Sequence, residues 1–562
     1  MTNKPLRAPR LTANSRRHSV LAVLVATTLG FAAEAAPGTA KGNVVVAAKK
    51  PAKEKVRPPP RPVTVAPSVP TPLATAFNDA MQAEQLDGVD VGFIAMDLVT
   101  GRVLAESGAD LLINPASNAK MITSATALAT LKPEYRFKTE YAVNGQLKDG
   151  VLTGNLVVKG YGDPSITNER LMKVANELYL FGVEKITGAV IVDDTWFDGN
   201  EEARGWELED APDRAYAAPV SATSVNYNAV AVYIRPASTA GQPAVVVVDP
   251  PTERVVLKGT VMTDAVGSGV RLVSQKNDEA TGKNPIHDGT LLTIEGSVGL
   301  RDSPARIYRR VYDPARHFGS VLTAYLQQRG VKMRHNVVKA PTPAGARLIL
   351  VDKSPTLKEV VNDLNHYSNN IIAETLIKQM GAEVSGAPGT FDNGLAVARD
   401  WLEQRVGLAP GSYIFGNGSG LNDVNRFSAR QLAQLVRTVG ADYEIATEWF
   451  TSLAVAGTQG TIGYRMKDTP AKRRLRAKTG TLRGVSALSG TVARPNGDIV
   501  IFSVLTQGYK SGAGPMWKVQ NAIGTALASD GLYDPNAKDE VEEGEAVSSK
   551  DNASVVEIAS GG

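Results

Sequence analysis

Ser117-Asn118-Ala119-Lys120 is the one place in the 562-residue chain where a serine stands three residues before a lysine. Positions i and i+3 share a helix face, so the hydroxyl and the ammonium can meet there. A serine is a weak nucleophile until a neighbouring base takes its proton, and lysine can be that base once burial lowers its pKa. Pro115 puts Ser117 in the first helical turn, where free N–H groups favour developing negative charge. The apolar residues that follow (Met121, Ile122, Ala125, Leu128) would bury the helix and desolvate Lys120. Alone the pair proves little, since a serine and a lysine at this spacing also arise by chance.

Two further elements could share a site with it. Lys478-Thr479-Gly480-Thr481-Leu482 contains the only KTG and leads into an apolar run from 485 to 493. A strand-borne lysine with two hydroxyls and a permissive glycine suits a substrate carboxylate, although a solvated edge strand would read the same way. A serine two residues before an asparagine occurs at Ser224-Val225-Asn226 and at Ser368-Asn369-Asn370. The second suits a site better, because its hydroxyl and amide would project from a loop just before the helical run 371–380. Ser224 lies in strand-rich sequence and reads as structural.

The elements that would carry these motifs come from both ends of the folded body. Residues 72–86 have helical apolar spacing, and 91–96 and 102–104 read as strands joined by Thr100-Gly101. A strongly apolar helix follows, through Leu131. Near the other end, strands at 485–493 and 499–506 flank the hairpin signal Pro495-Asn496-Gly497, and 516–528 reads as a closing helix. These pieces predict an α/β (α+β) unit, an antiparallel sheet flanked by helices, over 72–135 and 346–535. Between them, 136–345 is rich in short Val/Ile runs with helices at 168–181 and 317–329, which predicts an inserted β-rich region of two modules.

Composition removes several alternatives. The chain holds no cysteine, which excludes thiol nucleophiles, thiolate metal sites and disulfides. Its five histidines (His18, His287, His317, His335, His366) show no HExxH spacing, so a zinc hydrolase is disfavoured. A net charge of +4 makes nucleic acid a poor partner. The N-terminus carries Arg7, Arg10, Arg16 and Arg17, an apolar run at 20–33 and small residues around Ala33-Glu34-Ala35. This is a secretory signal pattern over residues 1–36, with an uncleaved anchor as the alternative. It predicts export to the periplasm without a stable transmembrane anchor. Residues 37–71 read as a Pro-rich linker and 536–562 as a disordered acidic tail.

SxxK, SxN and KTG in this order are the motif set of penicillin-binding proteins and β-lactamases. The chain resembles that superfamily, and the 251 residues between Ser117 and Ser368 narrow the resemblance to the class C low-molecular-mass penicillin-binding proteins. These are D-Ala-D-Ala carboxypeptidases/endopeptidases with domains inserted between SxxK and SxN. Gly162-Asp163-Pro164-Ser165, Asp194-Thr195, Phe197-Asp198-Gly199, Ala218-Pro219-Val220-Ser221 and Gly418-Ser419-Gly420-Leu421 are similar to that family as well.

The resemblance implies a penicillin-binding/β-lactamase-like transpeptidase fold acting on peptidoglycan stem peptides and acylated by β-lactam inhibitors, with no metal or organic cofactor. Ser117 would be acylated and Lys120 would be its base. Ser368 would relay the proton to the departing D-Ala, and Asn370 would hold the substrate amide and Lys120. Lys478, Thr479 and Thr481 would bind the terminal carboxylate beside Gly480, and the N–H groups of Ser117 and Thr481 would form the oxyanion hole. Asp194 is the expected contact in the inserted region for a charged diamino-acid side chain, unless it is a turn aspartate capping its own backbone.

The chain departs from the family pattern at Asn417, usually Asp, and at Asn422, usually Ser, and Arg483 stands at a position that often faces substrate. A β-lactamase or esterase of the same fold, or a wall-binding scaffold with a dead site, are the competing readings.

Overall fold

The computed structural model describes residues 72–84, 88–277, 289–510 and 512–529. The expected signal segment, linker and acidic tail lie outside the described residues, as does Leu86 at the end of the first expected helix. The chain opens with α1 (Pro72–Ala83), β1 (Asp90–Asp97), β2 (Val103–Ser107) and α2 (Ala119–Leu131), the last preceded by a 3-10 turn at Ala116–Asn118.

Thirteen strands and two helices follow. They are β3 (Lys138–Lys148), β4 (Val151–Gly160), α3 (Asn168–Leu180), β5 (Lys185–Ile186), β6 (Val190–Asp193), β7 (Ala229–Arg235), β8 (Val245–Asp249) and β9 (Val255–Gly259). Then come β10 (Met262–Asp264), β11 (Gly269–Asn277), β12 (Gly289–Gly299), β13 (Ala305–Arg310), α4 (Pro314–Arg329), β14 (Val337–Lys339) and β15 (Arg347–Lys353). The chain returns through α5 (Leu357–Tyr367), α6 (Asn370–Ser385), α7 (Phe391–Trp401), α8 (Ala429–Gly440) and α9 (Ala446–Ser452). It closes with β16 (Ala454–Val455), β17 (Leu475–Leu482), β18 (Val485–Ala493), β19 (Ile499–Gln507) and α10 (Gly514–Ala528).

The two ends of the chain build one sheet in the order β16-β17-β18-β19-β1-β2, and each neighbouring pair is antiparallel. Its central strands are buried on both faces, which alternation explains. Ile94, Met96, Ile501 and Leu505 face a core shared with α2, α5, α6 and α8. Phe93, Ala95, Phe502 and Val504 face a second core with α1 and α10. α2 is buried on all sides from Ala119 to Leu128, its polar residues Lys120, Thr123, Ser124 and Thr126 included, as befits a helix central to its layer.

The middle segment holds two further cores. One packs α3 and α4 on the sheet β14-β6-β4-β3-β15. The other lies between β13-β7-β8 and the sheet containing β11 and β12. β15 pairs antiparallel with β3, so the sheet of the middle segment runs on to Lys353, beyond the expected border at 345. A border cannot be read from the strand alone, because its partner lies some two hundred residues earlier in the chain.

Candidate active site

Ser117 sits in the 3-10 turn before α2 rather than in the first α-helical turn. The turn begins with Ala116 at φ 46°, an uncommon conformation for a residue with a Cβ. Asn114 supports it, accepting the Ala116 N–H through Oδ1 at 2.8 Å. Two glycines let neighbouring backbone close on this turn. A Cβ on Gly480 would lie 2.7 Å from Pro115 O, and one on Gly420 would lie 1.9 Å from Ala116 O. Asn118, inside the SxxK motif, faces Ser489 Oγ with its amide oxygen at 2.7 Å and Lys478 O with its nitrogen at 2.8 Å. The nucleophile turn is thereby tied to the KTG strand.

Lys120 is fully buried while Ser117 stays partly open. Its Nζ donates to Ser117 Oγ at 3.0 Å, to Asn370 Oδ1 at 2.6 Å and to Ser419 O at 2.6 Å. Burial and then the nearby Lys478 charge hold Lys120 well below the usual lysine range, against an upward pull from Glu374.

The SxN motif spans a junction between two helices. Ser368 caps α5 in the left-handed conformation, φ 57° and ψ 36°, a position that glycine fills more cheaply. A serine there carries about 1–3 kcal/mol of strain. Asn369 caps α6 by accepting the Ile372 N–H at 3.0 Å, so that Asn370 begins the helix. Ser368 Oγ accepts from Lys478 Nζ at 2.8 Å. Lys478 also donates to Thr479 O at 3.0 Å, and burial brings its pKa down to about 7. Thr479 donates to Thr461 Oγ1 at 2.9 Å, and Thr481 is exposed at the strand end.

The structure therefore gathers Ser117, Lys120, Ser368, Asn370, Lys478, Thr479 and Gly480 around one point. Ser224 is buried elsewhere, donating to Ser221 O and accepting from Asn228. Asp194 does not join the cluster. It is 8% exposed, and its carboxylate pairs with Lys339 Nζ at 2.8 Å. The expected diamino-acid contact is thus a buried group already occupied by a cation.

Sequence reasoning missed several participants. Glu374 lies one turn after Asn370 and is 1% exposed, accepting the N–H of Ser419 at 2.7 Å and of Gly418 at 3.2 Å. The i,i+4 spacing from Asn370 was its only trace in the sequence. Tyr216, from the middle segment, accepts Asn370 Nδ2 on its carbonyl at 2.9 Å. The same stretch meets α6 and the loop at 416–422 repeatedly. Lys378 donates to Asp198 and Asn200 O, Asn417 Nδ2 to Arg204 O at 2.9 Å, and Asn422 Nδ2 to Gly205 O at 2.8 Å. Both departures from the family pattern thus hold neighbouring carbonyls of the middle segment. Arg483 pairs with Asp210 at 3.2 Å, but both are largely exposed and the pair contributes little.

The profile of the D-Ala-D-Ala carboxypeptidase 3 (S13) family matches residues 73–528. The chain belongs to this family. It is 33% identical over 473 residues to the D-alanyl-D-alanine carboxypeptidase of Actinomadura sp. (strain R39), covering 82% of this chain and 85% of the relative. It is 24% identical over 428 residues to D-alanyl-D-alanine carboxypeptidase DacB of Haemophilus influenzae, covering 76% and 87%. Among solved structures, penicillin binding protein 4 (dacB) from Haemophilus influenzae superposes with a TM-score of 0.68 at 22% identity, over 81% of this chain and 99% of that one. The fold is that of the penicillin-binding proteins, and the chain is a serine hydrolase of the D-Ala-D-Ala carboxypeptidase type, as the three motifs led us to expect.

Proposed function

We propose that this carboxypeptidase removes the terminal D-Ala of peptidoglycan stem peptides through an acyl-enzyme on Ser117. The observation that carries the assignment is the pair of buried lysines with different surroundings. Lys120 contacts Ser117 and is pressed toward its neutral form, while Lys478 stands beside Ser368. Burial lowers both lysines, so their partners separate the roles: Lys120, in contact with the nucleophile, suits the base, and Lys478 suits the anchor whose charge a bound carboxylate would favour.

In this mechanism Lys120 Nζ takes the Ser117 proton as Oγ attacks the carbonyl carbon of the penultimate D-Ala. The N–H groups of Ser117 and Thr481 receive the oxyanion. The C–N bond then breaks, and the proton held by Lys120 passes through Ser368 to the departing D-Ala nitrogen, leaving Lys120 neutral again. Water attacks the resulting ester, giving a proton to Lys120, which returns it to Ser117 Oγ as the ester C–O bond breaks. Asn370 holds Lys120 and orients the substrate amide, and Lys478 with Thr479 and Thr481 binds the terminal carboxylate. A β-lactam acylates Ser117 by the same attack with ring opening.

The basic and apolar pattern at residues 7–33 and the wall substrate together support export to the periplasm. Among the described residues no helix is long and apolar enough to cross a membrane. Incubation with purified muropeptides, read by mass, tests the activity. Loss of one alanine is expected for the carboxypeptidase, splitting of cross-linked dimers would add endopeptidase action, and unchanged substrates would refute the proposal.

A further inference from the structure

Residues 417–420 form a loop whose polar main-chain groups are met by side chains from three elements. Thr123 Oγ1 of α2 donates to Gly418 O at 2.7 Å, and Asn417 Oδ1 accepts the Gly420 N–H at 2.8 Å. Glu374 of α6 takes the two intervening N–H groups, Gly418 on Oε2 and Ser419 on Oε1. The Ser419 peptide then presents its carbonyl to Lys120 Nζ at 2.6 Å. α6 therefore serves Lys120 twice, directly through Asn370 Oδ1 and one turn later through the loop that Glu374 holds.

Glu374 is almost wholly buried, and among the described residues no lysine or arginine nitrogen lies within ion-pair distance of it. A buried carboxylate normally has such a partner. The cation it acts on is Lys120, across the single Ser419 residue.

We propose that Glu374 is a positioning residue for the lysine base: its carboxylate clamps the Gly418–Ser419 main chain so that Ser419 O faces Lys120, and it places an anionic charge across a single residue from that ammonium. This rests on the reading of Lys120 as the base for Ser117. The charged groups facing the ammonium are Lys478 from β17, which favours deprotonation, and Glu374 from α6, which opposes it. Ser117, Asn370 and Ser419 contribute only neutral dipoles. Burial raises the Glu374 carboxyl, and the Gly418 and Ser419 N–H groups counter that by stabilising the anion. A carboxylate that merely pinned a loop would affect rate without affecting the titration of the base.

The test is the second-order rate of labelled-penicillin acylation against pH for wild type, Glu374→Gln and Glu374→Asp, with thermal melting of each. In Glu374→Gln the anion is gone, so Lys120 loses its proton at lower pH and the acid limb moves down by about one pH unit. The plateau rate also falls by about tenfold, because the glutamine NH2 faces the Gly418 N–H donor to donor. Glu374→Asp keeps the charge but is one methylene shorter, so its rate falls while the limb stays in place. A Gln variant with an unmoved limb overturns the proposal. So does an Asp variant acylating at the wild-type rate, which decides the matter if the Gln variant does not fold. Wild type that takes no label would instead refute the Ser117–Lys120 reading itself, whatever the variants do.

Discussion

Lys478 Nζ and Ser368 Oγ stand 2.8 Å apart, so the expected carboxylate anchor and the expected proton relay share a hydrogen bond before substrate arrives. Burial leaves the ammonium poorly solvated and brings Lys478 down to about 7. Above that pH the free enzyme loses the charge that would hold a substrate carboxylate. We expect kcat/KM for a peptide ending in free D-Ala to fall through an alkaline limb beginning near 7. The same peptide with an amidated end should lack that limb. Identical alkaline limbs for both peptides would separate Lys478 from carboxylate binding.

Lys120→Arg keeps the positive charge but removes the base, because a guanidinium does not deprotonate in a protein. Acylation should fall by about 10²–10⁴-fold, nearly as far as in Lys120→Ala. An arginine variant that keeps most of the wild-type acylation rate would show that the position needs only a cation.

Asn417 is 1% exposed and donates Nδ2 to both Arg204 O and Leu421 O at 2.9 Å. Restoring the aspartate usual in the family would set a carboxylate against two carbonyls. Asn417→Asp should lower stability by about 1–3 kcal/mol in urea unfolding at neutral pH. The deficit should narrow as pH falls and the new carboxyl takes a proton that can be donated. An unchanged unfolding midpoint would mean that the contacts of this side chain contribute nothing.

Asp194→Ala removes the buried, nearer partner of Lys339 and leaves that ammonium only the longer contact with Glu201 at 3.5 Å. The expected outcome is a lower melting temperature, equivalent to about 1–3 kcal/mol. The ratio of peptide turnover to penicillin acylation should stay constant per folded molecule. A selective loss of turnover on peptides with a charged diamino acid would return Asp194 to the substrate.

What the sequence revealed and what it hid divide along physical lines. Ser117 and Lys120 were legible because helical spacing alone brings i and i+3 together. Lys478 and Asn370 were legible as motif members, and the hairpin of β18 and β19 by its turn residues and apolar runs. Glu374 was not legible, since its role depends on a loop more than forty residues away that folds beneath it. Nor was the carbonyl of Tyr216, because a backbone acceptor leaves no signature in residue type. Asn417 and Asn422 were visible as departures from a pattern, but only the fold shows that both grip neighbouring residues of the middle segment. Asp194 was left open between a substrate contact and a turn aspartate, because its partner Lys339 on β14 cannot be read from the sequence.

The central claim is that Ser117 is the atom donor for the acyl-enzyme. Intact-protein mass spectrometry after incubation with benzylpenicillin, followed by peptide mapping, tests it most directly. The account predicts one adduct per chain, located on the peptide containing Ser117, and none in a folded Ser117→Ala variant. An adduct on another serine, or equal labelling of wild type and Ser117→Ala, would contradict it.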